Sequence, residues 1–291
     1  MYPLISVIIP VYNNVHYLHH LLHQIESQYD PKVEVLLIND GSSEQSLFEL
    51  NQLKFNYPFI KIISKANGGL SDARNWGLNA ATGTYSIFLD PDDGVPHNYI
   101  ELLLKAVKAG HDFYIFDFFY CTSDGKRELS LQGPYKGPEH FIKSLIVGRF
   151  HGSVCTKLIK TSLYKQYDIY FPVGISICED LLTVVKLVQK NLDVCYVNEP
   201  IYYYNVDNST LTKNRENKFF KQSAWVIEQL QKIDGKNQFE KQILHRKINL
   251  KFNIKKNHVT NLKLNYTFKE FVTLLKNFNM KDFIKFLLTL I

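Results

Sequence analysis

Short apolar runs alternate with helix-like stretches through the first 120 residues of the chain. Runs of β-branched and aromatic residues predict strands, and apolar positions three or four residues apart predict helices between them. The runs that predict strands are LISVII (4–9), VEVLLI (33–38), FIKIIS (59–64), TYSIFL (84–89) and DFYIFDF (112–118). Because strands and helices alternate strictly, we predict an α/β fold with a mainly parallel sheet covered by helices.

The loops that follow the first four predicted strands are polar. In a parallel sheet covered by helices, ligands bind beyond the carboxyl ends of the strands. That edge would therefore gather four short segments, PVYNN, NDGSS, KANGG and DPDDG. Each of them contains a turn-forming Gly, Pro or Asn, and two are acidic. We expect a binding site there.

The alternation ends after Cys121, where a turn-rich stretch introduces a second region. This region contains the helix-like HFIKSLIVG, the segment ICEDLLTVVKLVQK, and VCYVNEPIYYYNV, whose β-branched and aromatic residues predict paired strands. From about residue 216 the pattern is helical, rich in Lys and free of Pro. We therefore divide the chain into residues 1–120, residues 121–215 and a basic helical C-terminal region, residues 216–291.

Charge is unevenly distributed along the chain. Its net charge is +6, yet residues 216–291 carry fifteen Lys and Arg against six Asp and Glu, a balance of +9. A hydrophobic content of 45% allows a sizeable core and argues against disorder. The four cysteines form no C-x-x-C pair, so their spacing indicates neither a disulfide framework nor a zinc site. No signal-peptide pattern and no long uncharged apolar run occurs, so we expect a cytoplasmic protein.

The acidic segment DPDDG, residues 90–94, has three interpretations. It is a polar turn, a calcium loop, or a site for a hard divalent cation that neutralises a diphosphate. The calcium loop fails because Gly94 and Val95 occupy positions where an EF-hand needs a ligand and a glycine, and because a strand leads in. Oxygen ligands of this kind suit Mg²⁺ or Mn²⁺.

Motifs in these loops resemble glycosyltransferase family 2, a large family of inverting, nucleotide-sugar-dependent enzymes with the GT-A fold. The resemblance covers roughly residues 4–210 and rests on four motifs in order: SVIIPVYNN, LLINDGSS, NGGLSDARNWGLNAATGTYSIFLDPDD and ICEDLLTV. It implies that residues 1–120 bind a nucleotide-sugar donor. Residues 121–215 would then bind the acceptor and carry the catalytic base.

The resemblance implies a donor site at the first two loops. Pro10 and Tyr12 would border the nucleotide base, and Asp40 would accept a hydrogen bond from uracil. A tyrosine ring offers a stacking face, and a carboxylate can accept the imide N–H of the base. Tyr12 as a packed loop aromatic and Asp40 as a helix N-cap or turn residue are the structural alternatives.

The NGGLSDARN motif implies further donor contacts. Asn67 and Arg74 would contact the base, the ribose or the diphosphate. Gly68 and Gly69 would let the backbone approach the ligand without an intervening Cβ. Arg74 could instead be a solvated charge on a helix surface.

The DPDD segment matches the D-x-D motif of the family. The resemblance implies that Asp90 faces the ribose and that Asp92 is the principal protein ligand of Mn²⁺ or Mg²⁺. Asp93 would support the loop or a metal-bound water. Pro91 fixes the backbone φ angle between the two functional carboxylates, which limits the freedom lost on binding.

Glu179 and Asp180, in ICEDLLTV, are candidates for the base that an inverting transfer requires. The resemblance points to Asp180. Acidic residues also favour the first turn of a helix, so both could simply begin the helix that LLTVVKLVQK predicts.

Other polar residues have weaker claims. His151 and Lys157 lie where family members shape the acceptor side, although a packed histidine and a surface lysine are equally consistent with the sequence. A polar loop around residues 208–210, with Lys213, could close over the diphosphate. Histidines at helical spacing between residues 16 and 23 flank an apolar stripe and indicate a solvated or pocket-rim face rather than a metal site.

The apolar and Lys-rich segment 268–291 predicts a helix with two alternative partners. It could lie on an anionic membrane surface, or it could pack on the catalytic domain or another subunit, which we favour. The basic region contains no recognisable nucleic-acid-binding module, so we expect no nucleic-acid partner.

Taken with the resemblance, these patterns predict a glycosyltransferase, hexosyl or N-acetylhexosaminyl. It would move a sugar from a nucleotide diphosphate, chiefly UDP, to a glycan, teichoic acid or lipid-linked acceptor in bacterial cell-envelope polysaccharide synthesis. The rivals are a sugar-nucleotide-forming nucleotidyltransferase and a catalytically silent glycan-binding protein. The first lacks its usual Gly-rich loop after the first strand, and the intact set of acidic residues argues against the second.

Overall fold

An eight-stranded sheet forms the centre of the protein. The computed structural model describes residues 3–207, 217–256, 270 and 280–290. The strands are β1 (Ile5–Val11), β2 (Val33–Asp40), β3 (Ile60–Lys65), β4 (Tyr85–Phe88), β5 (Phe113–Cys121), β6 (Arg127–Ser130), β7 (Lys157–Lys160) and β8 (Val194–Asn205). They follow the order β3-β2-β1-β4-β7-β5-β6, with β8 paired to β5.

Ten described α-helices accompany this sheet. They are α1 (Val15–Glu26), α2 (Glu44–Asn56), α3 (Leu70–Ala80), α4 (Tyr99–Val107), α5 (Pro138–Ile146), α6 (Ser162–Gln166), α7 (Glu179–Val188), α8 (Asn217–Ile233), α9 (Glu240–Lys256) and α10 (Met280–Leu290). β1 and β2 are buried along their whole length because helices cover both faces of the sheet. This explains their continuous apolar runs.

The predicted α/β fold is confirmed. β1 pairs in parallel with β2 and β4, and β2 pairs in parallel with β3, so the carboxyl ends of these four strands meet at one edge. The polar loops predicted for that edge are therefore neighbours. The five strands expected in the first 120 residues all occur, within a few residues of their predicted bounds.

Two features of the second half differ from the sequence prediction. VCYVNEPIYYYNV forms the single strand β8, which pairs with β5 through two register shifts near Pro200, instead of two strands paired with each other. The strand β6 was not predicted because its residues RELS are mostly exposed and carry two charges. The sheet also crosses the proposed division at residue 120, since β7 lies between β4 and β5. The three-region division stays a prediction.

The first C-terminal helix is part of the main hydrophobic core. Phe220, Val226 and Ile227 of α8 are buried in the same cluster as the sheet and α7. A second cluster joins α9 to α10 through Leu244, Ile248 and Phe286. Across the part of the chain that the structure describes, no helix is both long and apolar enough to cross a membrane.

Candidate active site

Asp40 ends β2 and holds the loop that follows β3. Its Oδ1 accepts a hydrogen bond from the Gly68 amide at 2.9 Å, and its Oδ2 accepts one from the Gly69 amide at 2.8 Å. The Lys65 ammonium lies 2.5 Å from Oδ1. The Asn67 side chain donates to the Asp40 carbonyl oxygen at 2.9 Å. Four of the residues predicted to bind the donor are thus in mutual contact.

The Asp40 carboxylate therefore already accepts three hydrogen bonds from the protein. An ionised carboxylate offers about four acceptor positions, so one remains for a ligand N–H. The uracil contact of Asp40 stays a prediction. Its established contacts show a second task, which is to fix the backbone of the loop.

The backbone geometry of the loop gives Gly68 and Gly69 a role besides the predicted approach to a ligand. Gly69 has a φ angle of +85°, a left-handed conformation that L side chains rarely adopt. A Cβ on Gly68 would lie 2.1 Å from the Asp72 carboxylate oxygen. Gly69 therefore needs glycine for this turn, and a side chain at position 68 would displace the Asp72 carboxylate.

Lys65 is a member of the site that sequence reasoning missed. Its ammonium lies 2.5 Å from Asp40 and 2.6 Å from Asp72, and its side chain is only 4% exposed. Although burial opposes it, these two carboxylates raise the pKa of Lys65. The signal was in the strand pattern: Asp40 and Lys65 end adjacent parallel strands and stand opposite each other in the register.

The first loop presents Tyr12 and conceals Pro10. Tyr12 is 53% exposed, so its ring is accessible for stacking, whereas Pro10 is buried within β1. Asn13 ties this loop to the next, because its amide donates to Ser42 Oγ at 3.1 Å and its Oδ1 accepts from the Ser43 amide at 2.8 Å. The proposed roles of Pro10 and Tyr12 at the base stay predictions.

Arg74 forms the centre of a buried ion-pair network. Its Nη2 lies 3.1 Å from Asp90 Oδ1, and its Nη1 lies 2.5 Å from Glu179 Oε1. The Arg74 side chain is 2% exposed and that of Glu179 is 5% exposed. The guanidinium lies 5.9 Å from the Phe88 ring centroid and 5.5 Å from that of Phe171. The network joins the D-x-D segment to the start of α7, whose second residue is the predicted base Asp180.

This burial excludes the alternative of a solvated charge on a helix surface. The contact of Arg74 with the donor stays a prediction. Burial disfavours the charged form, but Asp90 and Glu179 raise the pKa of Arg74 well above its usual range, so the guanidinium remains charged. Burial and the Asp180 charge raise the pKa of Glu179 to about 7, against the opposing effect of Arg74. Sequence reasoning had not connected Glu179 with Arg74.

The helix α3 that carries Arg74 makes two further contacts with the same part of the second region. The Ser71 hydroxyl donates to the Ile175 carbonyl oxygen. The Asn75 side chain donates to the Phe171 carbonyl and accepts from the Phe171 amide, each at 2.9 Å. The SDARN motif therefore holds the segment before the predicted base through three side chains on one helix.

Asp93 attaches the D-x-D loop to β8. The Tyr202 hydroxyl donates to its Oδ2, and the Asn205 amide donates to its Oδ1 at 2.7 Å. The Asn205 side chain also donates to the Asp92 carbonyl oxygen at 2.7 Å. Burial, together with the charges of Asp90 and Asp92, raises the pKa of Asp93 well above its usual range. These contacts are those of a loop-supporting residue.

Asp180 is the second residue of α7 and remains partly exposed, whereas Glu179 is buried. One Asp180 oxygen accepts a hydrogen bond from the Leu181 amide at 2.7 Å. The preceding residue, Cys178, has a φ angle of +58° and occupies the N-cap position of the helix. Of the two acidic residues, only Asp180 is thus accessible to solvent. Its role as the base stays a prediction.

The sequence model of the family described as "Glycosyl transferase family 2" matches residues 6–167, which is more than half of the chain. The chain belongs to glycosyltransferase family 2. This family 2 chain is 27% identical to EpsH of Bacillus subtilis over 234 residues, which make up 78% of the chain and 67% of EpsH. The chain spans between 27% and 64% of the length of four further curated relatives.

Solved structures of low sequence identity share the GT-A fold of this family 2 member. S. aureus TarS residues 1–349, in complex with UDP-GlcNAc, superposes with a TM-score of 0.68 at 22% identity, over 89% of this chain and 76% of that one. The mannosyltransferase PcManGT from Pyrobaculum calidifontis, in complex with GDP-Man and Mn²⁺, superposes with a TM-score of 0.56 at 16% identity. It covers all of this chain, which covers 74% of PcManGT.

The acidic residues of this family 2 glycosyltransferase suit a metal ion that is held partly by protein and partly by substrate. Within the described ranges no group of three His, Cys, Asp or Glu side chains could hold a metal ion. Magnesium commonly binds through one or two carboxylates together with substrate phosphates and water. Burial and the nearby Asp90 charge raise the pKa of Asp92 to about 6, and a cation would favour its ionised form. Asp92 is thus a suitable ligand.

Lys157 is not a surface lysine in this glycosyltransferase. It is fully buried, and its ammonium donates to the His151 carbonyl and the Thr156 hydroxyl, each at 2.7 Å. Burial lowers the pKa of Lys157 to about 7, although the Asp180 charge opposes this effect. Burial and Lys157 lower the pKa of His151 to about 4, which leaves the imidazole neutral at pH 7. Lys157 therefore belongs to the interior, whereas His151 is half-buried beside it.

The predicted polar loop at residues 208–210, with Lys213, lies outside the described residues. Half of the predicted C-terminal helix 268–291 does so as well. Glu270 and the helix α10 are described.

Proposed function

We propose that this family 2 glycosyltransferase moves a sugar with inversion from a nucleotide diphosphate, chiefly a UDP-sugar, to a hydroxyl of an acceptor. The observation that carries the proposal is the buried Arg74 bridge. It places the D-x-D residue Asp90 and the helix start with Glu179 and Asp180 around one guanidinium. A single displacement needs its leaving-group side and its base side in one site, and Arg74 joins these two parts of the chain.

On the donor side, Asp40, Asn67 and the two glycine amides form the wall where the nucleotide would bind. Tyr12 offers an exposed ring for the base. Asp90 would face the ribose, and Asp92 would hold Mn²⁺ or Mg²⁺. The bound cation supplies Lewis-acid neutralisation of the departing diphosphate. TarS and PcManGT support this arrangement, since their structures contain UDP-GlcNAc, and GDP-Man with Mn²⁺.

On the acceptor side, Asp180 would take the proton from the attacking hydroxyl. Its partial exposure and its position at the start of α7 support this role. Glu179 supports it indirectly, because its carboxylate is committed to Arg74 and fixes the helix start. The bond that forms joins the acceptor oxygen to the anomeric carbon. The bond that breaks releases the nucleotide diphosphate, while the proton remains on Asp180.

We propose a glycan, teichoic acid or lipid-linked acceptor, and a place in the synthesis of cell-envelope polysaccharide, at the cytoplasmic side of the membrane. A hexose and an N-acetylhexosamine are both candidate sugars. Phe286 of α10 packs against Leu244 and Ile248 of α9, which supports the interpretation that the segment 268–291 packs on protein. Ile284 and Leu288 of α10 are exposed, so membrane contact or self-association of this helix stays the alternative.

The proposal is tested by nucleotide-sugar turnover with and without Mn²⁺, after a thermal-shift screen of donor nucleotides has identified the best ligand. We expect Asp180→Asn to keep donor binding and lose turnover by about 10²- to 10⁴-fold. Asp92→Ala should lose the response to Mn²⁺. Asp124→Asn, at an exposed position on the β5–β6 turn, is the matched control.

Wild-type turnover by Asp180→Asn would refute the base assignment. Full activity of Asp92→Ala in a chelator would refute the metal assignment. Absence of binding to any nucleotide sugar would refute the function itself.

A further inference from the structure

The segment that leads into α7 has no regular secondary structure of its own. Residues 171–178, FPVGISIC, form turns and bends and end at Cys178 with its left-handed backbone. A non-glycine residue in this conformation is uncommon and persists when surrounding contacts determine it. The position of Asp180 therefore depends on what holds residues 171–178.

The donor half holds this segment from one side, through Ser71, Arg74 and Asn75. The C-terminal region holds the same segment through different atoms. Gln222 of α8 uses both ends of its side-chain amide there. Its Oε1 accepts from the Ser176 amide at 3.0 Å, and its Nε2 donates to the Gly174 carbonyl at 2.9 Å. Gln222 is only 8% exposed, so water competes little for these bonds.

Arg246 of α9 reaches the last residue of the segment. Its Nη2 donates to the Cys178 sulfur at 3.2 Å, and its Nη1 donates to the Ile146 carbonyl at the end of α5 at 3.1 Å. One guanidinium thus joins the left-handed residue before Glu179 to a neighbouring helix. α8 also packs against α7 in the main core. The helix that carries Gln222 is therefore itself held in place.

We propose that Gln222 and Arg246 are positioning residues for the catalytic base, so that the C-terminal helices are part of the catalytic apparatus. This proposal rests on the proposed base role of Asp180. Neither residue would touch donor, acceptor or metal. They would act by holding residues 174–178, so that Asp180 faces the acceptor hydroxyl.

A first experiment measures this holding without any substrate. Hydrogen exchange of the Ser176 amide is compared between wild type, Gln222→Met and Gln231→Met. Gln231 is the matched control, because it lies on the same helix and donates to Glu270 at 3.0 Å, away from the segment. We expect exchange about tenfold faster in Gln222→Met, equivalent to one lost hydrogen bond, and unchanged exchange in Gln231→Met.

A second experiment separates positioning from general stability. With donor and Mn²⁺ present, we expect Gln222→Met and Arg246→Met to lower kcat by about 10- to 100-fold, the effect of a small misplacement of a reacting group. The dissociation constant of the donor should stay at the wild-type value, because the donor wall is untouched. Gln231→Met should keep the wild-type kcat.

Equal kcat values in Gln222→Met and Gln231→Met would overturn the inference, and so would parallel losses of kcat and donor affinity. Wild-type exchange at Ser176 in Gln222→Met would overturn it even if no turnover were measurable. The proposed function fails separately, if Asp180→Asn retains full turnover. An inactive Asp180→Asn beside a fully active Gln222→Met would remove the positioning role alone.

Discussion

Replacement of Arg74 by methionine removes the charge between two carboxylates and keeps part of the side-chain volume. Arg74 is ion-paired with Asp90 and Glu179, and both its own side chain and that of Glu179 are almost inaccessible to water. Removing one partner of a buried ion pair typically costs about 3–5 kcal/mol, because the remaining charge is left without compensation. For a chain of 291 residues we expect a fall in Tm of roughly 5–8 °C.

The loss of stability in Arg74→Met should depend on pH. Burial and Asp180 raise the pKa of Glu179 to about 7 from an ordinary value of 4.5, although Arg74 opposes them. An acid with a raised folded-state pKa binds more protons in the folded state, so its contribution to stability is lost as pH rises through that pKa. Without Arg74 the pKa of Glu179 rises further. The difference between wild type and variant should therefore be larger at pH 8 than at pH 6.

Urea unfolding and thermal unfolding at these two pH values measure the effect. Arg149→Met, at an exposed position, is the matched control and should leave stability unchanged. Arg74→Lys keeps a charge but loses the planar fork that contacts both carboxylates, so an intermediate loss is expected. A loss of unfolding free energy below about 1 kcal/mol in Arg74→Met would show that the bridge does not stabilise the fold as argued. A loss that is equal at pH 6 and pH 8 would show the same.

Three further predictions concern individual contacts. Asp93→Asn should unfold in urea close to wild type, because its side-chain oxygen can still accept from the Asn205 amide. Asp93→Ala should lose about 1–3 kcal/mol of unfolding free energy. Equal losses in the two variants would contradict the argument. Lys157 has its pKa lowered by burial from 10.5 to about 7, so its contribution to stability should rise with pH between these values. Lys157→Met should flatten that rise in a Tm series, and an unchanged slope would refute the assignment. The variant Asp40→Asn keeps one acceptor oxygen for the amides of Gly68 and Gly69. Hydrogen exchange at one of these amides should therefore be faster than in Lys65→Met. The reverse order would contradict the role given to Asp40.

The sheet was predictable because its first strands are buried on both faces. A continuous apolar run such as that of β2 has few other uses in a globular domain. The exposed strand β6 carries no such signal, and residues 127–130 escaped prediction for that reason. The register shifts of β8 arise from its pairing with β5, which is a tertiary property.

The site was predictable as a set of motifs and less so as a set of contacts. Asp40 and Lys65 could have been paired from the sequence, because parallel neighbouring strands place their ends together. The Arg74–Glu179 pair could not, since 105 positions separate the two residues and no local pattern relates them. Gln222 and Arg246 lie in the basic helical region, for which the sequence predicted no contact with the site.

The side chains of Ser71, Arg74 and Asn75 have a consequence for the recombination of domains within this family. A chimera that exchanged residues 1–120 to obtain a new donor specificity would bring a foreign α3 against residues 171–179. Even with every donor contact intact, its halves would meet through mismatched side chains. Chimeras that transfer the partners of these three residues together with α3 should retain turnover more often than those cut at residue 120.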